Sequence, residues 1–291
     1  MDAINPSTIP TFASHTPLHI GSVGMTVRDL DAMVAFYRDA LGFTVIERTG
    51  AHARLGVGDV AFLDLIHRPD ALPDDPREAG LYHNAFLMPT RGDLGRWLIH
   101  AAQGRVPLTG ASDHAVSEAI YLDDPEGNGI EVYSDRPQNL WQQEDGMIRM
   151  TTVGLDLNDL AAAGAGQNWS GAPLGLRIGH VHLRVGNVET AERFYTQAIG
   201  LATTRRRHGA AFMSSGGYHH HLAGNVWSSN HAGPRHPDRA GLAYVALEAR
   251  DAETFEQTKT SLAASGAPLT DSGGVLETAD PWGTRIRLAR A

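Results

Sequence analysis

The chain has fifteen histidines and no cysteine, and this combination limits the chemistry open to it. Without thiols there are no disulfides, thiolate nucleophiles, iron–sulfur clusters or thiolate-rich zinc sites. A bound metal ion must therefore sit on nitrogen and oxygen, and proton transfer near neutral pH falls naturally to imidazole. The densest feature of this kind is Gly217-Tyr218-His219-His220-His221, which follows Phe212-Met213-Ser214-Ser215-Gly216. If the run continues a strand, side chains alternate between faces and His220 points away from His219 and His221. A register shift of one residue would exchange the candidates, and a solvent-facing histidine cluster fits the same letters. The Arg205-Arg206-Arg207 run reads as a solvated strand end, with charge available to steer an anion. Trp227 fits the wall of an aromatic pocket or, more simply, a half-buried structural indole.

The elements that must position such groups appear as an internal repeat. Ile20-Gly21-Ser22-Val23-Gly24-Met25-Thr26-Val27-Arg28-Asp29-Leu30, with Ala35-Phe36-Tyr37 and Leu41-Gly42-Phe43 behind it, is matched in spacing by a second stretch. That stretch is Ile178-Gly179-His180-Val181-His182-Leu183-Arg184-Val185-Gly186-Asn187-Val188, followed by Arg193-Phe194-Tyr195 and Ile199-Gly200-Leu201. Each copy opens as a half-buried strand, meets an Asp or Asn at a helix start and continues with helical periodicity to a Gly. Weaker echoes link Gly80-Leu81-Tyr82-His83-Asn84-Ala85-Phe86-Leu87 with Gly241-Leu242-Ala243-Tyr244-Val245-Ala246-Leu247. Asp124-Pro125-Glu126-Gly127-Asn128-Gly129-Ile130-Glu131-Val132 is likewise echoed by Asp280-Pro281-Trp282-Gly283-Thr284-Arg285-Ile286-Arg287-Leu288, so a DP-x-G turn and a strand close each half. The repeat defines four βαβββ modules, over about 18–66, 80–133, 177–226 and 240–290, with a linker between the second and third that contains one short helix.

At 291 residues the chain exceeds the usual size of a single core, and two domains are expected. The division reads as an N-terminal arm over 1–16, a first domain over 17–135, a linker over 136–176 and a second domain over 177–291. A net charge of -9 argues against a nucleic-acid partner. No apolar run is long enough to span a bilayer, so no membrane partner is expected. The arm, with Pro6 and Pro10, lacks a basic stretch followed by an apolar one. It reads as flexible and not as a signal peptide, and the protein as cytoplasmic.

The F-Y pairs, the run Asp113-His114-Ala115-Val116-Ser117-Glu118-Ala119-Ile120-Tyr121-Leu122, the DPEGNGIE turn and the histidine run together resemble the vicinal oxygen chelate superfamily. That superfamily comprises glyoxalases, bleomycin-resistance proteins and extradiol dioxygenases. The resemblance covers nearly the whole chain from about residue 18 and is narrower toward two-domain catechol 2,3-dioxygenases. It implies an α+β fold of four βαβββ modules forming two domains with curved mixed sheets. It also implies two strand histidines and one strand glutamate as metal ligands, which by position are His180, His83 and Glu131. Such a set leaves coordination positions open for substrate and dioxygen. By the same resemblance, His220 is the catalytic base, Tyr121 an active-site phenol and His114 a second active-site histidine. The loop carrying His114 is spaced differently from the family's best-known members, so loop hydrogen bonding is an equal account of that residue. Taken singly, His83, His180 and Glu131 also fit as ordinary strand residues, and Tyr121 as a core tyrosine.

The resemblance thus implies an Fe(II) enzyme, with Mn(II) the substitute ion, that opens a small catechol-like aromatic with O2. It leaves a homo-oligomer open. Its rivals on the same scaffold are a glyoxalase-type isomerase or thiol transferase using Zn, Ni or Mn, and a protein that sequesters a ligand without catalysis. Module one has Ser22 where module three has His180, and module four has Tyr244 and Arg287 where module two has His83 and Glu131. One complete ligand set per chain is expected. It assembles only if modules two and three pair, and one with four, in a crossed arrangement.

Overall fold

The computed structural model describes residues 11–291. Module one comprises β1 (Leu18–Val27), α1 (Leu30–Leu41), β2 (Thr44–Arg48), β3 (His52–Val57) and β4 (Val60–His67). Module two comprises β5 (Gly80–Leu87), α2 (Arg91–Gln103), β6 (Gly110–Asp113), β7 (Ser117–Asp123) and β8 (Gly129–Asp135). The linker contributes β9 (Gln143–Glu144), β10 (Met147–Ile148), β11 (Val153–Gly154) and α3 (Leu157–Gly164). Module three comprises β12 (Arg177–Arg184), α4 (Val188–Arg193) with a wider turn over Phe194–Ala198, β13 (Ala202–Arg207), β14 (Ala210–Ser214) and β15 (Leu222–Asn225). Module four comprises β16 (Gly241–Ala249), α5 (Ala252–Ser265), β17 (Leu269–Ser272), β18 (Val275–Ala279) and β19 (Arg285–Arg290).

The sheets do not follow the contiguous halves 17–135 and 177–291. One sheet runs β17-β18-β19-β16-β1-β4-β3-β2 and joins module four to module one; the other runs β11-β6-β7-β8-β5-β12-β15-β14-β13 and joins two to three. Within every module the first strand lies parallel to the last, and the opening strands of two modules meet antiparallel, β1 with β16 and β5 with β12. The repeated Ile-Gly explains part of this geometry. The ladder register slips between Ile20 and Ser22 and again between Ile178 and His180, so Gly21 and Gly179 are the extra residues of two bulges. A Cβ on Gly179 would overlap the Tyr133 hydroxyl, so the bulge has room for glycine alone.

The F-Y and DP-x-G motifs turn out to be one device. Tyr37 of α1 donates from its hydroxyl to Asp124 (3.1 Å), and Tyr195 donates to Asp280 (2.9 Å). Each aspartate's other oxygen accepts two backbone N–H groups of its own turn, those of Glu126 and Asn128 or of Trp282 and Thr284. A helix from one sheet is thereby tied to the closing turn of the other, and the apolar core runs continuously through both units. The helix starts show the expected chemistry: Asp29 and Asn187 accept from Ala32 N–H (3.0 Å) and Thr190 N–H (2.8 Å) as N-caps.

Two expectations need correction. Residues 1–10 of the arm lie outside the described residues, but from Phe12 the chain is packed, not free. Phe12 contacts Trp141 and Tyr218 at 5.6 Å between ring centroids, and Ala13 and Thr16 are buried. His221 fixes this segment by donating from Nε2 to the Ala13 carbonyl (2.9 Å). The linker also does more than connect: β11 pairs with β6, and α3 packs on α2 where Gly95 meets Gly164. Among the described residues no helix is long and apolar enough to cross a membrane.

Candidate active site and metal centre

Register brings the three expected ligands together. His83 on β5 faces His182 on β12, His180 lies opposite Ala85, and Ala85 in turn pairs with Glu131 on β8. Side chains one pleat apart on adjoining strands converge on one face. His83, Glu131 and His180 are all buried, at 6%, 3% and 1% of their full exposure, and their ligating atoms lie within 4.8 Å of one another. Glu131 Oε2 is 3.1 Å from His83 Nε2 and 3.3 Å from His180 Nε2. Ligands about 2.0–2.2 Å from one ion and separated by roughly right or tetrahedral angles stand about 3 to 3.5 Å apart, so the spacing fits a shared ion. His83 Nε2, although close to the carboxylate, is out of line for a hydrogen bond and is a buried nitrogen without a partner. A cation would satisfy it.

Charge fits the same reading. Burial alone would raise the Glu131 carboxyl, but the imidazoles of His180 and His83 outweigh it and hold the acid well below its usual range. Burial pushes His180 down to about 4 against the pull of Glu131. A carboxylate beside a neutral His180 imidazole is a protonation pattern that suits a divalent ion.

His83 and Glu131 line a cavity of about 530 Å³, and His180 adjoins Glu131. His220 lines that cavity, whereas His219 and His221 do not. The run is not strand, however: it lies in the connector between β14 and β15, where Gly216 and Gly217 take left-handed φ values of 64° and 78°. His221 is satisfied on both nitrogens, by the Ala13 carbonyl and by Ser215 N–H (3.3 Å). His219 Nε2 donates to Asp135 (2.9 Å), so its Nδ1 accepts from His220 Nδ1 (2.8 Å). His220 Nε2 is then the bare nitrogen. Burial, reinforced by the surrounding imidazoles, holds His220 well below its usual range, and its ring centroid is 4.0 Å from that of His180.

His114 and Tyr121 form a pair on the same cavity. The Thr151 carbonyl accepts from His114 Nδ1 (2.6 Å), so His114 Nε2 is the acceptor for the Tyr121 hydroxyl (2.6 Å). Burial and then the Glu131 charge raise the Tyr121 phenol well above its usual range, so it keeps its proton.

Several lining residues were not singled out from sequence. His182 is buried 5.0 Å from the His83 ring, and Asn225 Nδ2 donates to its Nε2 (3.0 Å). Its position two residues after His180 on one strand was the signal that could have found it. Phe212, Met150, Tyr82 and Trp227 complete an aromatic and apolar wall. Trp227, which the sequence allowed on an aromatic pocket wall or as a structural indole, is 53% exposed at that wall, with Tyr82 beside it at 5.2 Å. Arg207, expected at a solvated strand end, lines the cavity as well.

The family model described as Glyoxalase/Bleomycin resistance protein/Dioxygenase superfamily matches residues 19–132 and 177–288. A catechol-2,3-dioxygenase of Bacillus subtilis (strain 168) is 35% identical over 272 residues, covering 92% of this chain and 95% of that protein. A biphenyl-2,3-diol 1,2-dioxygenase of Rhodococcus globerulus is 31% identical over 152 residues, 48% of this chain and 78% of its own. Among solved structures, glyoxalase I of Zea mays superposes with a TM-score of 0.56 at 16% identity, covering 96% of this chain and 94% of that one.

Proposed function

Because this chain belongs to the glyoxalase/bleomycin resistance protein/dioxygenase superfamily, we propose that it is an Fe(II)-dependent extradiol dioxygenase acting on a catechol-like aromatic with O2. His83, His180 and Glu131 would hold the ion, with Mn(II) the substitute. One observation carries the reading: two imidazoles and one carboxylate converge within 4.8 Å, and two of the three, His83 and Glu131, line a ring-sized, largely apolar cavity. Bound there, the ion supplies Lewis acidity and an electron path to dioxygen, with coordination positions left for both reactants.

The chain's own residues do the rest. Phe212, Tyr82 and Trp227 offer flat surfaces to an aromatic ring, with Met150 beside them on the apolar wall. His220 Nε2 takes a proton from a catechol hydroxyl, and the hydrogen bond from its Nδ1 to His219 keeps that nitrogen free. Tyr121 is protonated and its hydroxyl rests on His114 Nε2; rotated off that nitrogen, it would donate to a substrate-derived oxygen and return a proton to it. The test is anaerobic loading with Fe(II), admission of air and a panel of catechols. Expected are dioxygen uptake one-to-one with catechol and a strongly absorbing ring-fission semialdehyde, neither of them with zinc-loaded protein. Turnover of methylglyoxal–thiol adducts with every catechol untouched would assign the chain to glyoxalase chemistry instead. Stoichiometric catechol binding without any metal would mark a sequestering protein.

A further inference from the structure

The three arginines that end β13 meet three different fates. Arg205 pairs with Glu144 on β9 (2.7 Å), and Arg206 pairs with Glu192. Arg207 turns into the cavity wall, where its guanidinium donates to Thr152 Oγ1 (2.7 Å) and to the Met150 carbonyl. Both acceptors are neutral. Among the described residues no carboxylate lies within ion-pairing distance of Arg207. A guanidinium has five N–H donors, and these two contacts leave the remaining edge unmatched. Half-buried cations are ordinarily paired, because desolvation without compensation is costly. An anion entering the cavity would supply the missing pair.

Position strengthens the case. Residues 150–152 of the linker hold Arg207 from one side, and from the other they accept the hydrogen bond of His114, whose partner is Tyr121. The guanidinium is thus held in fixed relation to the His114–Tyr121 pair. The cavity's other carboxylates do not neutralise it: Glu131 is held by the imidazoles, and Asp123 stands beside Tyr82 and is not among the groups acting on Arg207.

We propose that Arg207 receives a carboxylate carried by the aromatic ring, so that the substrate class is catechols bearing an acidic side chain. This rests on the reading of the cavity as a catechol site. The test compares a catechol bearing an acetate side chain with the methylcatechol that lacks the carboxylate. Anaerobic equilibrium titration of metal-loaded protein, followed by tryptophan fluorescence, reports binding, and oxygen uptake with the same compounds reports turnover. Wild-type protein should bind the acidic catechol about 10- to 100-fold more tightly, the effect of one charge-assisted hydrogen-bonded pair. Arg207→Met should erase that preference, while Arg207→Lys, which keeps the charge but not the fork, should retain part of it. Equal affinity of wild-type protein for the two catechols, or an equal loss on both in Arg207→Met, overturns the proposal. Tight, Arg207-dependent binding of the acidic catechol with no oxygen uptake would sink the dioxygenase reading and leave the assignment of Arg207 standing.

Discussion

In the sheet built from modules two and three, β5 carries His83, β8 carries Glu131 and β12 carries His180; in the sheet built from modules one and four, the matching strands carry Tyr244, Arg287 and Ser22. The second cup is not an emptied copy of the first. Its tyrosine ring fills the space over Gly24, where a Cβ would overlap it, just as His83 faces His182 in the other sheet. The Tyr244 hydroxyl donates to Asp64, the Arg287 guanidinium lies 3.8 Å above the ring, and Arg287 pairs with Glu277 (2.8 Å). Burial and then Asp64 raise the Tyr244 phenol. Tyr244, Asp64, Arg287 and Glu277 thus all have partners within that cup, whereas the first cup keeps an unpartnered imidazole nitrogen and opens onto a cavity. The sheets thus share the bulge glycines, capped helices and tyrosine–aspartate ties and differ in the proposed ligand set.

Breaking the first cup should have the largest effect. Replacing even an outer-shell partner of a metal ligand commonly weakens metal binding by about 10- to 100-fold. His83→Ala, Glu131→Ala and His180→Ala should each exceed that, measured as metal retained after dialysis, and turnover should go with it. Tyr244→Phe, made in the other cup, should retain full metal stoichiometry. A His180→Ala protein with undiminished affinity would show that the third ligand is another residue. Next in size is His220→Gln, which should keep the metal and lower turnover by about 10²- to 10⁴-fold. Near-normal turnover in that variant would remove His220 from the proton path.

The same comparison shows what was legible in the sequence. The repeat carried the fold, because half-buried strands and capped helices impose their own periods, and matched spacing exposed four modules. It could not assign pairing by itself, since opening strands of the same type can meet in either combination. Only the count of ligands, with Ser22, Tyr244 and Arg287 out of place, pointed to the crossed arrangement. The histidine run was visible, but its orientation was not, because it depends on two left-handed glycines and on hydrogen bonds to Asp135 and Ala13 far away in sequence. His182 and Arg207 were missed or assigned to other roles, and Trp227 was left between two, for a related reason. A cavity wall is defined by what packs across it, here the linker residues 150–152, which carry no local pattern.

The tyrosine–aspartate ties allow a finer probe through pH. Burial raises the Asp124 carboxyl from 3.8 to about 6, against the hydrogen bonds it accepts, and raises Asp280 in the same direction. For a folded-state pKa above the unfolded one, the stabilising contribution is complete below about pH 4 and is lost as pH rises through about 6. Asp124→Asn carries no charge to bury. Relative to wild type at equal metal content, it should therefore gain stability between pH 4 and pH 7, by at most about 3 kcal/mol on an order-of-magnitude basis. Urea denaturation at the two pH values reads the difference. A flat difference would mean that Asp124 is already ionised at pH 4.

The smallest expected effect sharpens the comparison most, because it contrasts two equivalent ties placed differently with respect to the proposed metal site. Tyr37→Phe and Tyr195→Phe each remove one buried hydrogen bond, of 3.1 Å and 2.9 Å, while leaving the aspartate its two backbone donors. Each should cost about 1 kcal/mol in urea denaturation, the usual net contribution of such a bond. The turns they hold lead into strands with different roles. Asp124 fixes Asn128, the residue before β8 and its Glu131, whereas Asp280 fixes Thr284 ahead of β19 and its Arg287. If the ties are only scaffold, the two variants should match in stability and both retain full metal stoichiometry. If Tyr37→Phe alone weakens metal binding, the module-one helix also positions Glu131, and the sheet that lacks ligands contributes to the centre in the other.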